Sequence, residues 1–438
     1  MPADTAPRIT AAQKISLGHG LLFVASLPFE RFYSQLLLLS LVAHTLIQVR
    51  RSDLHRLWRR EVLLLQGVFW ITLAATAWSS EKGTAFTMWE RHLAFALFPL
   101  LLPLQDGDLR RATHLILRAF AVVNAAVVLY LYGDALAVIR FHGLPISDLF
   151  GPHFISHRFA EPIGLHATYG SLFCALSLTV VLREGLRERR RLRAAGWMLL
   201  ASVLLAALVQ LGSRSVLLAT GLIVLGIVPF FLERRAARIR YLVVTVLLTG
   251  ILAVAINRSD GLSQRLVTDL RSDLTTEGGR YSVADPRAAR WALGWELVKA
   301  SPLWGHGTGD EVALLKEKYW NARLYDSYLN ELNAHNQYLS FAIRGGILGV
   351  LGYCGFLAFL ARLAWRSRNG VFGAFVLLVA VTGVSENLLD VNKGIFFVAF
   401  FGSLFGWAAL QEHEIKHAPG NPATTRRVFT GNRIPVKM

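Results

Sequence analysis

Apolar residues recur in long runs along almost the whole chain, separated by short polar stretches rich in arginine. A bilayer-spanning helix needs about 20 mostly apolar residues. Twelve stretches approach that pattern: 15–29, 32–49, 61–79, 87–105, 112–136, 167–183, 194–212, 214–232, 239–256, 335–361, 371–390 and 393–411. The first is short and contains Pro28, but no small-x-small cleavage site follows it and the next run starts almost at once, so it reads as a span rather than a secretion signal. Strand-like alternation at ten-residue spacing is absent, and helices are the other way to satisfy backbone groups in lipid. The pattern predicts an all-α polytopic membrane protein with about 12 transmembrane helices. The expected division is 1–256 for helices one to nine, a large loop at 257–334, 335–411 for helices ten to twelve, and a polar, disordered tail at 412–438.

Composition narrows the class. Of the 438 residues 54% are hydrophobic and 17% charged, with mean hydropathy +0.43, against about 25% charged in an ordinary soluble domain. A soluble enzyme, a disordered chain and a soluble body on one anchor are excluded. The formal charge of +17 has a topological reading. One set of short loops carries Arg50, Arg51, Arg56, Arg59 and Arg60, then Arg110 and Arg111, then Arg183 to Arg193, then Arg234 to Arg240, then Arg362, Arg366 and Arg368. The alternate short loops carry only Arg31, Lys82, Arg140, Arg158, Arg214 and Lys393. By the positive-inside rule both termini are cytoplasmic. Basic residues spread over many loops also argue against a nucleic-acid stripe.

The loop 257–334 falls on the outer side. It is nearly neutral, with ten basic and eleven acidic residues, and its Trp291, Trp295, Trp304, Tyr319 and Trp320 predict a small, partly helical unit lying on the membrane. A second outer segment, 137–166, is rich in His, Pro and Gly. Cys174 and Cys354 lie in apolar runs and give no disulfide framework.

Three places carry candidate chemistry. Arg214, in Gly212-Ser213-Arg214-Ser215, sits at the outer start of a helix near membrane depth, with Ser213 as the expected N-cap. The helix dipole opposes a cation there and burial in hydrocarbon costs ~2.5–3.5 kcal/mol, which implies a compensating anion; snorkelling to the headgroups is the competing reading. His335, in Asn333-Ala-His-Asn-Gln-Tyr338, stands at the start of span ten, where a neutral imidazole suits general base work; a capping or interfacial histidine is the alternative. In the large loop, Trp291, Trp295 and Val298 share one helical face and Arg287, Arg290 and Gly294 the next. The structural reading is an amphipathic helix docked by its tryptophans; the functional reading adds that Arg287 or Arg290 points at a phosphate. Gly305-His306-Gly307-Thr308-Gly309 lacks the Lys, the spacing and the strand of a nucleotide loop and reads as a glycine turn. Metal signals are poor. His153 and His157 lie in a proline-rich segment, and Asp106-Gly-Asp108 falls on the cytoplasmic side.

These parts stand in one order: a membrane arginine in Gly-Ser-Arg-Ser, an Arg…Trp helix ending in Pro302-Leu-Trp-Gly-His-Gly307, and His335-Asn-Gln-Tyr-Leu followed by Gly345-Gly346. The combination, over roughly 150–410, resembles the bacterial O-antigen ligase family and its relatives, the O-antigen polymerases and ligase-like protein oligosaccharyltransferases. The resemblance implies an inner-membrane glycosyltransferase with a periplasmic active site. It would move O-antigen from undecaprenyl diphosphate to lipid A-core by an inverting, metal-independent reaction without a cofactor or ATP. Carried over, Arg214 matches the membrane arginine, His335 the catalytic histidine, and Arg287 the loop arginine, with Arg290 its competitor. Arg158 and His166 match an Arg…His pair of relatives. Gly305-His306-Gly307 departs from the pattern, since relatives usually carry a small apolar residue between those glycines. Rival readings are an O-antigen or exopolysaccharide polymerase, and, in another class, a transporter of lipid-linked sugars, which would show repeat symmetry and mid-span ionisable residues. Glu386 is the main mid-span exception, suited either to orient an arginine or to be a structural partner.

Overall fold

The computed structural model describes residues 10–105, 107–268 and 286–417. The described residues are overwhelmingly helical and contain no strand. In chain order the main helices are α1 (Ala11–Ser26), α2 (Arg31–Gln48), α3 (Arg60–Leu65), α4 (Gly67–Thr76), α5 (Lys82–Arg91), α6 (Leu93–Leu101), α7 (Leu109–Phe141), α8 (Ala167–Arg187), α9 (Arg191–Leu211) and α10 (Arg214–Gly226). They continue with α11 (Arg235–Asn257), α12 (Arg287–Ala300), α13 (Glu311–Asn321), α14 (Tyr325–Leu329), α15 (Gln337–Ser367), α16 (Gly370–Thr382) and α17 (Asn392–His417). Asp106 of the Asp-Gly-Asp motif and most of the tail, 418–438, lie outside the described residues. The six residues 412–417, expected in that tail, continue α17.

Among the described residues six helices are long and apolar enough to cross a membrane: α7, α8, α9, α11, α15 and α17. The other expected spans are short or interrupted, for identifiable reasons. Gln66 breaks 61–79 into α3 and α4; its Nε2 donates to the Ala96 carbonyl of α6 at 2.9 Å. His92 breaks 87–105 into α5 and α6, bonded between Thr72 (2.7 Å) and the Leu389 carbonyl (2.6 Å). The 13 residues of α10 rise only about 20 Å. The stretch 371–390 is helical only to Thr382 and then turns.

α8 and α17 are the buried centre of the bundle. Phe120 of α7, Phe173 of α8, Phe375 of α16 and Phe397 and Phe401 of α17 stack into one aromatic core. α11 contributes no buried residue and lies at the periphery. Turns gather at two ends. At one, Lys393 donates to the Leu27 carbonyl, Asp310 caps Ser80 and Glu81, Gln210 holds 149–154, and the 333–336 turn meets 383–390. At the other, across the 33-residue α7, Leu109 bonds Gln411 and Arg59 pairs with Glu414 and lies over Trp407.

The 286–336 segment folds as a small unit with its own core of Leu297, Leu315, Tyr319, Leu324 and Ala334, completed by Leu339 and Ile343 of α15. The fully buried residues of α12 are Arg290, Gly294 and Leu297; Trp291 and Val298 pack partly buried against the same core, whereas Trp295 is 57% exposed. A Cβ at Gly294 would lie 2.8 Å from Leu339, so the glycine permits this close approach of α12 to α15.

Gly346 breaks α15 with φ 58°, a conformation only glycine adopts cheaply. The groups freed by the kink are taken by the glycine turn. His306 and Gly307 N–H donate to the Ile343 and Arg344 carbonyls (2.8 and 2.9 Å), and Ile347 N–H donates to Pro302 (2.8 Å). Gly305-His306-Gly307 is therefore a dock for the kinked helix, and the His306 ring is engaged with the Leu297 carbonyl at 2.8 Å.

Candidate functional site

The 333–336 turn carries His335 and is held from four sides. Asn336 caps α15 through Leu339 N–H (3.1 Å). Gln337 N–H donates to the Gly383 carbonyl (2.7 Å) and its Oε1 accepts from Leu389 N–H (2.7 Å). Asn333 accepts from His335 N–H (3.0 Å) and donates to Asp390 (3.0 Å). The Ala334 carbonyl accepts from Trp291 Nε1 (3.0 Å), and Ala334 N–H donates to Glu311 (3.1 Å). This bracing holds His335 at φ 47°, outside the usual range for a side-chain-bearing residue. Such strain costs of order 1–3 kcal/mol and persists only where the surroundings over-determine it. The histidine lies two residues before the first residue of α15, with Asn336 as the cap.

Glu386, in the turn after α16, receives one group from the large loop and one from the turn that precedes α15. Arg287 NH2, at the first position of α12, donates to Oε1 at 2.9 Å, and His335 Nδ1 meets Oε2 at 3.4 Å. Burial pushes the Glu386 carboxyl upward. The His335 hydrogen bond and the Arg287 charge more than reverse this and hold it at about 2. The ionised carboxylate favours the His335 tautomer with its proton on Nδ1, in which Nε2 is an acceptor. Glu386 thus pairs with an arginine, as one reading of its position expects, and also meets His335, which the sequence did not indicate.

A second group adjoins this one. Gln210, the polar exception near the end of α9, donates to the Leu149 carbonyl (2.6 Å) and to Phe154, while its own carbonyl accepts from Ser156 N–H (2.9 Å). That clamp folds 146–156 over the end of α9 and delivers His157, after a left-handed Ser156 (φ 62°), against His166. The two rings are in contact, with centroids 4.1 Å apart and planes tilted by 57°. Burial lowers the His166 pKa to about 4, with His157 the next cause; the His157 pKa is lowered by burial and by Arg265.

The remaining expected residues fall in different places. Arg214 is the first residue of α10, half-buried, directly after the left-handed Gly212 turn. Ser213 is the N-cap by position, but its side chain makes no capping hydrogen bond. Arg290 is buried, 5% exposed, on the inner face of α12. Arg158 is exposed and donates to His153 Nδ1 at 2.9 Å. His153 and His157 therefore engage different partners, and among the described residues no group of three or more His, Cys, Asp or Glu side chains could hold a metal ion.

Beneath the site lies a network absent from the sequence-based candidates. Arg344 of α15 donates from Nε to Glu311 (2.7 Å) and from both terminal nitrogens to Asp390 (2.8 and 2.6 Å). Ser340 donates to Glu311 (2.6 Å), and Asn387 donates to Ser340 (2.7 Å) and Asp390 (2.9 Å). All five side chains are buried. They join α13, α15 and the 387–390 turn into one support under both His335 and Glu386. Arg344 and Asp390 lie within apolar runs, where ionisable residues pair, and that was the signal available for them.

A family model described as O-antigen ligase matches residues 198–354. The matched range contains Arg214, Arg287, Arg290 and His335 and ends before Glu386. A search of curated proteins found no match. Over residues 198–354 the chain is therefore similar to the O-antigen ligase family.

Proposed function

We propose that the protein is an O-antigen ligase of the bacterial inner membrane. It would transfer polysaccharide from undecaprenyl diphosphate to lipid A-core on the periplasmic face, with the end bearing His335 outward and both termini cytoplasmic. In this reading the shorter helices complete twelve crossings and 257–334 is the periplasmic unit. The observation that carries the reading is the convergence of Arg287 and His335 on one ionised Glu386.

The chemistry follows from the protonation states. With Nδ1–H directed at Glu386, His335 Nε2 takes the proton of an acceptor hydroxyl. The oxygen attacks the anomeric carbon, the bond from that carbon to the phosphate oxygen breaks, and its electron pair leaves on the diphosphate. The configuration inverts. Glu386 stabilises the imidazolium as it forms, as the buried carboxylate does in a Ser-His-Asp triad. A guanidinium has five donors, so Arg287 keeps several for phosphate while one holds Glu386. In a water-poor crevice such charge-assisted bonds are strong. Arg214, the first residue of α10, is assigned with Arg287 to the donor diphosphate. Arg290, Arg158 and His166 are assigned to substrate binding, Arg158 at the exposed rim.

The test is a gel of lipopolysaccharide from cells lacking this protein and complemented with wild type or with His335→Ala. The expected result is loss of all polymer bands with lipid-linked polymer intact, restored by wild type and not by the variant. Single-repeat bands in the deletion would mean a polymerase. Restoration by His335→Ala would refute the base assignment.

A further inference from the structure

The end of the bundle opposite His335 carries two adjoining cavities that the proposed reaction does not use. The first, about 370 Å³, lies between α1, α2, α7 and α17. Its wall is mainly apolar, with Leu17, Phe23, Leu41, Leu115, Phe400 and Leu404 among the lining residues. Two polar side chains in that wall satisfy each other. The Ser16 hydroxyl donates to Gln105 Oε1 (2.8 Å), and Gln105 Nε2 donates to Thr45 (2.7 Å). The cavity follows α1 from Gln13 to Phe23, a rise of about 15 Å. Arg111, exposed in the first turn of α7, lines it at the end of the bundle.

The second cavity, about 340 Å³, is lined by His55, Arg56, Arg59, Trp407, Gln411 and Glu414. Gln105, Gly107 and Leu109 line both, so the apolar and the polar space meet at the start of α7. Arg59 pairs with Glu414 and lies over the Trp407 ring, 5.4 Å from its centroid. Arg56 donates to the Pro103 carbonyl (2.9 Å) and pairs with Asp53 (3.3 Å). These contacts fix both guanidinium groups in place without using all of their five donors. Trp58, between the two arginines in sequence, is 90% exposed, the placement of a tryptophan at a membrane–water interface.

A space that is apolar along the bundle and basic at its end suits a molecule with an apolar chain and an anionic head. Basic pockets between membrane helices on the cytoplasmic side take lipids of this kind. We propose that the two cavities form one site for an anionic phospholipid of the cytoplasmic leaflet, with its phosphate at Arg56 and Arg59 and one acyl chain in the apolar cavity between α1 and α7. The choice of leaflet rests on the orientation proposed above. The chain fills the space between α1–α2 and the rest of the bundle, so the lipid ties the first two helices to α7 and α17. It takes no part in glycosyl transfer.

The test is native mass spectrometry of the full-length protein, released from detergent and titrated separately with phosphatidylglycerol and phosphatidylethanolamine. Wild type is expected to bind one phosphatidylglycerol in preference to phosphatidylethanolamine. Arg56→Gln/Arg59→Gln is expected to weaken phosphatidylglycerol binding roughly 30-fold, about fivefold for each arginine near the membrane surface. Arg56→Lys/Arg59→Lys should recover part of it. Ala112→Phe fills the apolar cavity with both arginines intact and should also remove the tightly bound lipid. Arg190→Gln/Arg193→Gln, in a basic loop outside both cavities, should change nothing. Equal affinity of wild type for the two lipids overturns the proposal, and so does full phosphatidylglycerol preference in Arg56→Gln/Arg59→Gln or in Ala112→Phe. If those variants do not fold, the wild-type preference and its dependence on Arg190 and Arg193 decide. A preference lost in Arg190→Gln/Arg193→Gln marks general attraction to a basic surface and overturns the site. Lipid binding is read without polymer transfer, so its failure leaves the ligase reading standing, and transfer by His335→Ala leaves this site standing.

Discussion

Replacing Glu386 by Gln removes one charge and changes little else. The carboxyl is held at about 2 against an ordinary 4.5 and is largely buried, its side chain 15% exposed. At about 1.4 kcal/mol per tenfold change in proton affinity, that gap is worth about 3 kcal/mol of favourable interaction with His335 and Arg287. A depressed carboxyl contributes stability above its unfolded value and loses it as pH falls through the folded one. E386Q should therefore be less stable than wild type at pH 7, by up to about 3 kcal/mol. The difference should shrink as pH falls below about 4.5 toward 2, where wild type loses the same interaction. Thermal unfolding in detergent across pH measures this. The kinetic expectation is a split. Without the carboxylate, His335 loses the group that sets its tautomer and stabilises its cation, so kcat should fall by about 10²–10⁴. Arg287 loses the acid that competes with phosphate, so KM for the lipid-linked donor should hold or drop. A wild-type kcat for E386Q, or a stability gap unchanged down to pH 2, would refute the argument that Glu386 governs His335.

Three further outcomes follow from the same geometry. Arg344→Met leaves Glu311 and Asp390 buried without their guanidinium, which should cost about 3–5 kcal/mol and appear as a lower unfolding temperature and poorer recovery from membranes. Gly346→Ala puts a Cβ 2.3 Å from the Leu303 carbonyl at a φ of 58°. It should cost at least about 1–3 kcal/mol and reduce transfer by unseating the 302–307 turn from α15; normal stability and transfer would contradict the docking role. Polymer transfer in washed membranes should persist in excess EDTA, because two guanidinium groups are assigned the task of neutralising the leaving diphosphate; loss of transfer restored by a divalent ion would contradict that assignment.

Much of the fold was legible because hydropathy reports burial in lipid or protein directly, but it does not report which. Gln66 and His92 sit inside apolar runs that read as single spans, and each instead breaks its run to serve a neighbour, the Ala96 carbonyl for one and the Thr72–Leu389 pair for the other. Periodicity placed Trp291, Trp295 and Val298 on one face of α12, correctly as geometry. It could not say which residues are fully buried, because Arg290, Gly294 and Leu297 reach the core through the close approach to Leu339 that Gly294 permits. The site divides in the same way. Arg287 and His335 carried local signals, a guanidinium at a helix start and an imidazole before one. Their meeting at Glu386 joins residues 99 and 51 positions apart, a distance over which no local pattern speaks. His157 was the hardest to find. Its sequence neighbours suggest a pairing with His153 four residues away, a spacing that converges on a helix. Here Ser156 turns left-handed between them, so the backbone sends His153 toward Arg158 and His157 toward His166. A single strained residue, held by the Gln210 carbonyl, decides which two of these histidines meet.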